Sequence, residues 1–329
     1  MSRPNELTCV EQMVLLDIRN MLQSMGKDIS SFPLPEIEEE HDTMSGEVRE
    51  IFEERSIEVD HEFASIVSSL NLEQRYAYDK ILSYVDNGNG TAFFVDGPGG
   101  TGKTFLYKAL LAKVRSEGKI AVATATSGVA ASILPGGRTA HSRFKISLSI
   151  QEGGVCNFTK QSEIAKLLRM GSLILWDEVS MTKRQAIEAL DKSLRDIMEK
   201  PDLPFGGKTI VFGGDFRQVL PVVRKGTRAQ IINATLRKSY LWENMQKLRL
   251  VRNMRAQSDP WFSNYLLRIR NGTKETVKDD YVKIPDKICV PYTGAESDID
   301  NLIDSVFYAS NTPIQFRLHH ISRYFVNKE

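Results

Sequence analysis

Cysteine is scarce in this chain: Cys9, Cys156 and Cys289 are the only three in 329 residues, far apart and never paired as C-x-x-C. That argues against a disulfide framework and against a zinc site, and it fits a reducing compartment. Net charge is almost absent as well, with 43 basic residues against 42 acidic ones leaving +1. Any surface for nucleic acid must therefore be a local patch, because the chain as a whole supplies no attractive field. No apolar run approaches bilayer length and the N-terminus lacks the apolar core of a signal peptide, so a soluble intracellular protein with no membrane partner is expected. No internal repeat is present. Wholesale disorder is excluded too, since 41% of residues are hydrophobic and 26% charged, and the length suits about two domains.

What is present is concentrated between Ala92 and Thr104, AFFVDGPGGTGKT. The apolar run Ala92-Phe93-Phe94-Val95 reads as a buried strand. Gly97, Pro98, Gly99, Gly100, Thr101 and Gly102 form a loop, and Lys103-Thr104 head an apolar helical stretch. This is the phosphate-loop pattern G-x-x-x-x-G-K-[ST] in the strand–loop–helix setting it requires. Glycines let the backbone N–H groups turn inward toward an anion at the positive end of the helix. Lys103 is expected to reach the β- and γ-phosphates and Thr104 to offer its hydroxyl to Mg²⁺. A plain glycine turn before an ordinary helix would leave the Lys–Thr pair unaccounted for. The expected ligand is a nucleoside triphosphate.

Upstream, Thr8 and Glu11 have capping-box spacing, and Val10, Val14, Ile18, Met21 and Leu22 recur at helical spacing. Residues 30–43 carry two prolines and an acidic cluster and read as an extended linker. A second helical stretch covers Glu47 to Glu54, and everything before about residue 65 reads as accessory. Asn71-Leu72-Glu73-Gln74 opens a further helix. Gln74 has two readings of equal weight: a capping box with Asn71, or an adenine contact through its donor–acceptor amide.

After the phosphate loop come a helix from Phe105 to Val114 and a strand from Ile120 to Thr124. Strand, helix and strand with short turns imply a parallel sheet whose carboxyl ends gather ligands. Thr126-Ser127-Gly128-Val129-Ala130-Ala131 lies at that edge, with hydroxyls and N–H groups suited to phosphates. Arg138 to Lys145 interleaves cations with His141 and Phe144, a mixture suited to a single strand: cations for the backbone, flat rings for bases. Standing alone, that segment reads better as a solvated basic loop.

A helix from Glu163 to Met170 leads to the apolar run Leu173-Ile174-Leu175-Trp176, which ends in Asp177-Glu178. Buried acids are costly unless paired or bound to metal. Here Asp177 is expected to hold Mg²⁺, directly or through its waters, and Glu178 to polarise the attacking water. A core helix spans Lys183 to Met198. Thr209-Ile210-Val211-Phe212 then makes another strand, ending in Gly213-Gly214-Asp215-Phe216-Arg217-Gln218. Gln218 is expected to sense the γ-phosphate. After Leu248-Arg249-Leu250, Arg255 is the expected arginine for the transferring phosphate, with Arg252 as fallback. A surface charge is the alternative at each.

Taken together, LNLEQR, FFVDGPGGTGKT, ATSGVAASILPGGRTAHSRFKI, LILWDEVSM, GGDFRQVLPVV and LVRNMR resemble the Pif-type DNA helicases of superfamily one, also found in Helitron transposons. The resemblance runs from about Leu70 to Arg255. It implies a RecA-like α/β fold with a parallel sheet flanked by helices. It implies ATP and Mg²⁺ as cofactors, single-stranded DNA or DNA junctions as partners, and 5′ to 3′ translocation with unwinding. Repair, recombination and telomere maintenance, and a nuclear location, are likewise implied. Within the site, it favours Gln74 as the adenine contact and puts Gln218 and Arg255 at the γ-phosphate. It favours Thr126, Ser127, Gly128, His141, Arg143, Phe144 and Lys145 as DNA contacts. The expected divisions are an N-terminal helical and acidic extension (1–65), the motor domain (66–256) and a C-terminal extension (257–329). No second parallel-sheet pattern follows Arg255. The resemblance is thus to the first of two motor domains, and a remnant that binds ATP without unwinding is the alternative.

Overall fold

The computed structural model describes residues 15, 18–19, 29–35, 49–59, 63–256, 259–278, 281–289, 298–299 and 302–303. The helix expected from Thr8 to Leu22 and the linker after residue 35 lie wholly or largely outside them.

Strand β1 (Ala92–Asp96) shows how the sequence builds the core. Side chains alternate across a strand, so Phe93 and Val95 enter one apolar layer while Ala92 and Phe94 enter the other. Both faces are therefore buried, which explains a continuous apolar run rather than an apolar–polar alternation. Ahead of β1 lie helices α1 (Arg49–Arg55), α2 (Phe63–Ser68) and α3 (Leu72–Asn87). After it come α4 (Lys103–Ser116), β2 (Ile120–Ala125), α5 (Gly128–Ser132), β3 (Arg138–Thr139) and α6 (Ala140–Arg143). Then follow α7 (Glu163–Met170), β4 (Gly171–Asp177), α8 (Arg184–Ile197) and β5 (Ile210–Gly214). The series continues with α9 (Arg228–Asn233), β6 (Gln246–Arg249) and α10 (Pro260–Arg270), then the short strands β7 (Thr276–Lys278) and β8 (Tyr281–Val282).

The six strands β1 to β6 form one parallel sheet in the order β3-β2-β4-β5-β1-β6. One face is covered by α3 and α4, whose Ile81, Leu106, Leu110 and Val114 pack on Phe93, Ala123, Leu175 and Val211. The other is covered by α7 and α8, packed around an aromatic seam. In that seam Phe144, Trp176 and Phe212 follow one another at centroid separations of 5.6 and 6.2 Å. Each such ring, fully buried, contributes roughly 2–3 kcal/mol. The expected parallel α/β architecture is what the structure has.

Two strands of this sheet went unpredicted. In β6 only Leu248 is buried, so no apolar run marks it, and β3 is just two residues long. The chain divides into two compact units, Met1–Leu267 and Arg268–Glu329. Within the second, β7 and β8 pair antiparallel. Among the described residues no helix is long and apolar enough to cross a membrane.

Candidate functional site

Because β1 to β6 all run the same way, the segments after β1, β2, β4, β5 and β6 emerge along one edge of the sheet. The phosphate loop follows β1. Gly100 and Gly102 have φ of +92° and +80°, a region that side chains with a Cβ avoid, and this is what lets the loop curl. Lys103 is buried, and its Nζ donates to the Gly97 carbonyl at 2.6 Å, so the ammonium is folded back across the loop mouth. Behind the loop stands Gln74. Its Oε1 accepts the Asn71 N–H at 3.0 Å while Asn71 Oδ1 accepts the Gln74 N–H at 2.9 Å, completing the capping box. Its Nε2 donates to the Thr101 carbonyl at 3.1 Å. Both ends of this buried amide are thus committed to protein: it caps α3 and braces the phosphate loop.

Strand β4 delivers Asp177 to the same edge. Trp176 and Phe94 both register with Phe212, so Asp177 and Val95 stand level on either side of β5. Two strand spacings separate them, about 10 Å. Burial raises the Asp177 carboxyl above the usual carboxylate range, opposed by the Glu178 N–H and by the charge of Lys103. Glu178 is raised as well, by burial first and then by Asp177, with Lys103 again opposing. Lys103 is therefore within electrostatic reach of both acids. Glu178 itself adopts a left-handed backbone, φ 55° and ψ 34°, uncommon for a residue with a side chain. Its N–H bonds Asp177 Oδ1 at 2.8 Å, which holds the turn.

Thr104 at the head of α4 and Asp177 at the end of β4 carry the kind of oxygen that a Mg²⁺ ion takes. Among the described residues no group of three or more His, Cys, Asp or Glu side chains could hold a metal alone.

The ends of β5 and β6 close round the loop. Asp215 is fully buried, and its Oδ1 accepts from the Arg217 backbone at 3.0 Å and from Nε at 2.7 Å. The same guanidinium reaches Asp96 at the end of β1 at 3.0 Å. Arg217 thereby ties the segment after β5 to the root of the phosphate loop, a role not read from the sequence; a carboxylate ending an apolar strand was the available signal. Gln218 follows, exposed, with its N–H bonded to the Asp215 carbonyl at 3.0 Å. After β6, the Met254 N–H donates to the Gly100 carbonyl at 2.7 Å. Arg255 is the next residue and is exposed. Arg252 is exposed too, its N–H held by Glu73 Oε2 at 3.2 Å.

The residues expected to meet DNA divide into two groups. Arg143 and Phe144 are buried, which corrects the expectation for both. Phe144 is fully enclosed in the aromatic seam against Trp176. Arg143 forms ion pairs with Glu50 and Glu54 of α1, while Arg138 pairs with Glu50 and Glu53. Arg115 joins Glu54 at 3.5 Å. Burial pushes the Glu54 carboxyl up in spite of three neighbouring guanidiniums. The segment before residue 65, expected to be accessory, therefore contributes a helix that neutralises most of the basic cluster. The reason is physical: the Arg143 guanidinium at the end of α6 can be buried only with a partner, and its partners come from α1, some ninety residues away in the chain.

The others stay accessible to different degrees. The Thr126 hydroxyl accepts from Trp176 Nε1 at 3.0 Å and lies 2.8 Å from Thr182 Oγ1, so little of it is left for a phosphate. Ser127 caps α5 through the Ala130 N–H at 3.2 Å, and Gly128 is exposed. His141 is half-buried, and burial holds its imidazole below the usual value. Lys145 is exposed.

A family profile described as PIF1-like helicase matches residues 69–280. The ATP-dependent DNA helicase PIF1 of Trypanosoma brucei brucei is 32% identical over 231 residues, which is 70% of this chain and 22% of that protein. The ATP-dependent DNA helicase Pif1 of Bdellovibrio bacteriovorus is 33% identical over 213 residues, 62% of this chain and 44% of the relative. A structure described as two coordinating Pif1 helicases unwinding forked double-stranded DNA superposes with a TM-score of 0.52 at 26% identity. It covers 71% of this chain and 51% of that one. The chain thus spans less than half the length of these curated relatives. Phosphate loop, acidic pair and the segments after β5 and β6 all fall inside the matched range, and the chain belongs to the PIF1-like helicase family.

Proposed function

We propose that this chain is a nucleotide-binding motor portion of an ATP-dependent DNA helicase, in which hydrolysis of ATP is coupled to 5′ to 3′ movement along single-stranded DNA. The observation that carries the reading is the convergence of the Lys103 loop after β1 and the Asp177–Glu178 pair after β4 on one edge of the parallel sheet. The backbone N–H groups of 97–102 and the start of α4 bind the phosphates. Lys103 exchanges the Gly97 carbonyl for phosphate oxygen. Thr104 and Asp177 would hold Mg²⁺, which would supply charge neutralisation to the bound phosphates. Glu178, its carboxyl raised above the ordinary value by burial and by Asp177, orients the attacking water and takes its proton. Gln218 and Arg255 meet the γ-phosphate from the ends of β5 and β6. For Gln74 to read adenine, its amide nitrogen must leave Thr101, which would tie base occupancy to loop shape. Toward DNA, His141, Lys145 and the backbone of 126–128 remain the contacts. The location that goes with this substrate in a eukaryotic cell is the nucleus.

ATP turnover by the full chain, measured with and without single-stranded DNA, tests this. The expected result is a DNA-stimulated rate that Glu178→Gln lowers by about a hundredfold or more while ATP still binds. Tight ATP binding with no turnover and no response to DNA would make the chain a binding module instead.

A further inference from the structure

The site contains a side chain that the reading above leaves unused. Tyr107 lies on α4 one turn beyond Lys103 and is fully buried, yet its hydroxyl has no hydrogen-bond partner among the described residues. A buried hydroxyl left so is destabilising. Its surroundings show what it is aimed at. A Cβ added to Gly213 would collide with the Tyr107 hydroxyl and stand 2.7 Å from Asp177 Oδ1. The phenol and the carboxylate therefore border the same small space, kept open because residue 213 has no side chain. The negative charges of Asp177 and Glu178 act on the phenol. A tyrosine hydroxyl facing a carboxylate can only donate, and no such hydrogen bond is made here.

We propose that Tyr107 is a positioning residue, whose hydroxyl donates to the Asp177 carboxylate once nucleotide and Mg²⁺ occupy the site and thereby fixes the carboxylate toward the metal. This rests on the reading of the site as an ATP–Mg²⁺ site. A helix that begins at the phosphate-binding lysine would then hold the metal's acidic ligand one turn later. The phosphate loop and the end of β4 would be set by a single rigid element. The unpartnered hydroxyl of the free protein is the strain that loading relieves.

The test is Tyr107→Phe in the full chain, which keeps the ring and removes only the oxygen. Three readouts are taken: the melting temperature without ligand, the affinity for ATP in EDTA, and the affinity for ATP with Mg²⁺. The expected variant melts at the same temperature or slightly higher and binds Mg²⁺-free ATP unchanged. It loses about tenfold of the affinity gained on adding Mg²⁺, the effect of one hydrogen bond to a charged group. A variant whose Mg²⁺-dependent gain equals that of the native chain overturns the proposal. So does one that melts several degrees lower and loses affinity equally with and without Mg²⁺, since that marks a merely structural hydroxyl. A native chain that binds no ATP under either condition overturns the parent reading, and this inference with it.

Discussion

Lys103 shows at the scale of one residue how much a motif conveys. Its burial and its bond to Gly97 mean that the loop is held closed by the cation that is to meet phosphate. Lys103→Ala is expected to weaken ATP binding by about tenfold or more while leaving the circular dichroism spectrum unchanged; undiminished affinity by calorimetry would contradict the phosphate-loop assignment. Gln74 was ambiguous for a reason that sequence cannot remove. A glutamine at the third position of a helix serves as cap through its oxygen, and what its nitrogen does depends on which loop folds against it. Here that loop is the phosphate loop itself. Cys156 gives a second residue-scale expectation. Burial pushes its thiol up to about 12, so at pH 8 in the native chain it stays protonated and shielded. Alkylation followed by peptide mass spectrometry is expected to modify exposed Cys289 and spare Cys156 until the chain is unfolded. Equal rates in the native protein would show the described burial to be wrong.

At the scale of elements, the helices and central strands were legible because each carries its own signal. A capping box opens α3, and apolar runs mark β1, β2, β4 and β5. The basic segment 138–145 was not legible, because its partner is remote. Nothing local to Arg143 announces that Glu50 and Glu54 will fold onto it. Two substitutions separate the consequences. Arg143→Ala leaves buried Glu54 with Arg115 alone at 3.5 Å and Glu50 with Arg138 alone, and is expected to destabilise the fold by about 3 kcal/mol, read from denaturant unfolding. Lys145→Ala is expected to leave stability unchanged and to weaken single-stranded DNA binding, with the salt dependence of log K falling by about 0.7. The reverse pattern, with Arg143 mattering for DNA and not for stability, would restore the reading of Arg143 as a DNA contact.

For the whole molecule, the sequence gives strands in order of synthesis but not in order of position. That Asp177 ends up two strands from the phosphate loop follows only from the pairing β4-β5-β1. Loop, acids, Arg217 bridge and covering Met254 belong to different segments that a parallel sheet brings to one edge. The near-zero net charge has its counterpart here: acidic residues of α1 neutralise Arg138 and Arg143. The central claim is that the phosphate loop and the β4 acids clasp one triphosphate with its metal. The most direct measurement is a crystal structure of the full chain with Mg²⁺ and a non-hydrolysable ATP analogue. The account predicts Mg²⁺ at about 2.1 Å from the Thr104 hydroxyl, with Asp177 bound to it directly or through one water. A nucleotide seated elsewhere, or a metal that Asp177 does not approach, would contradict it.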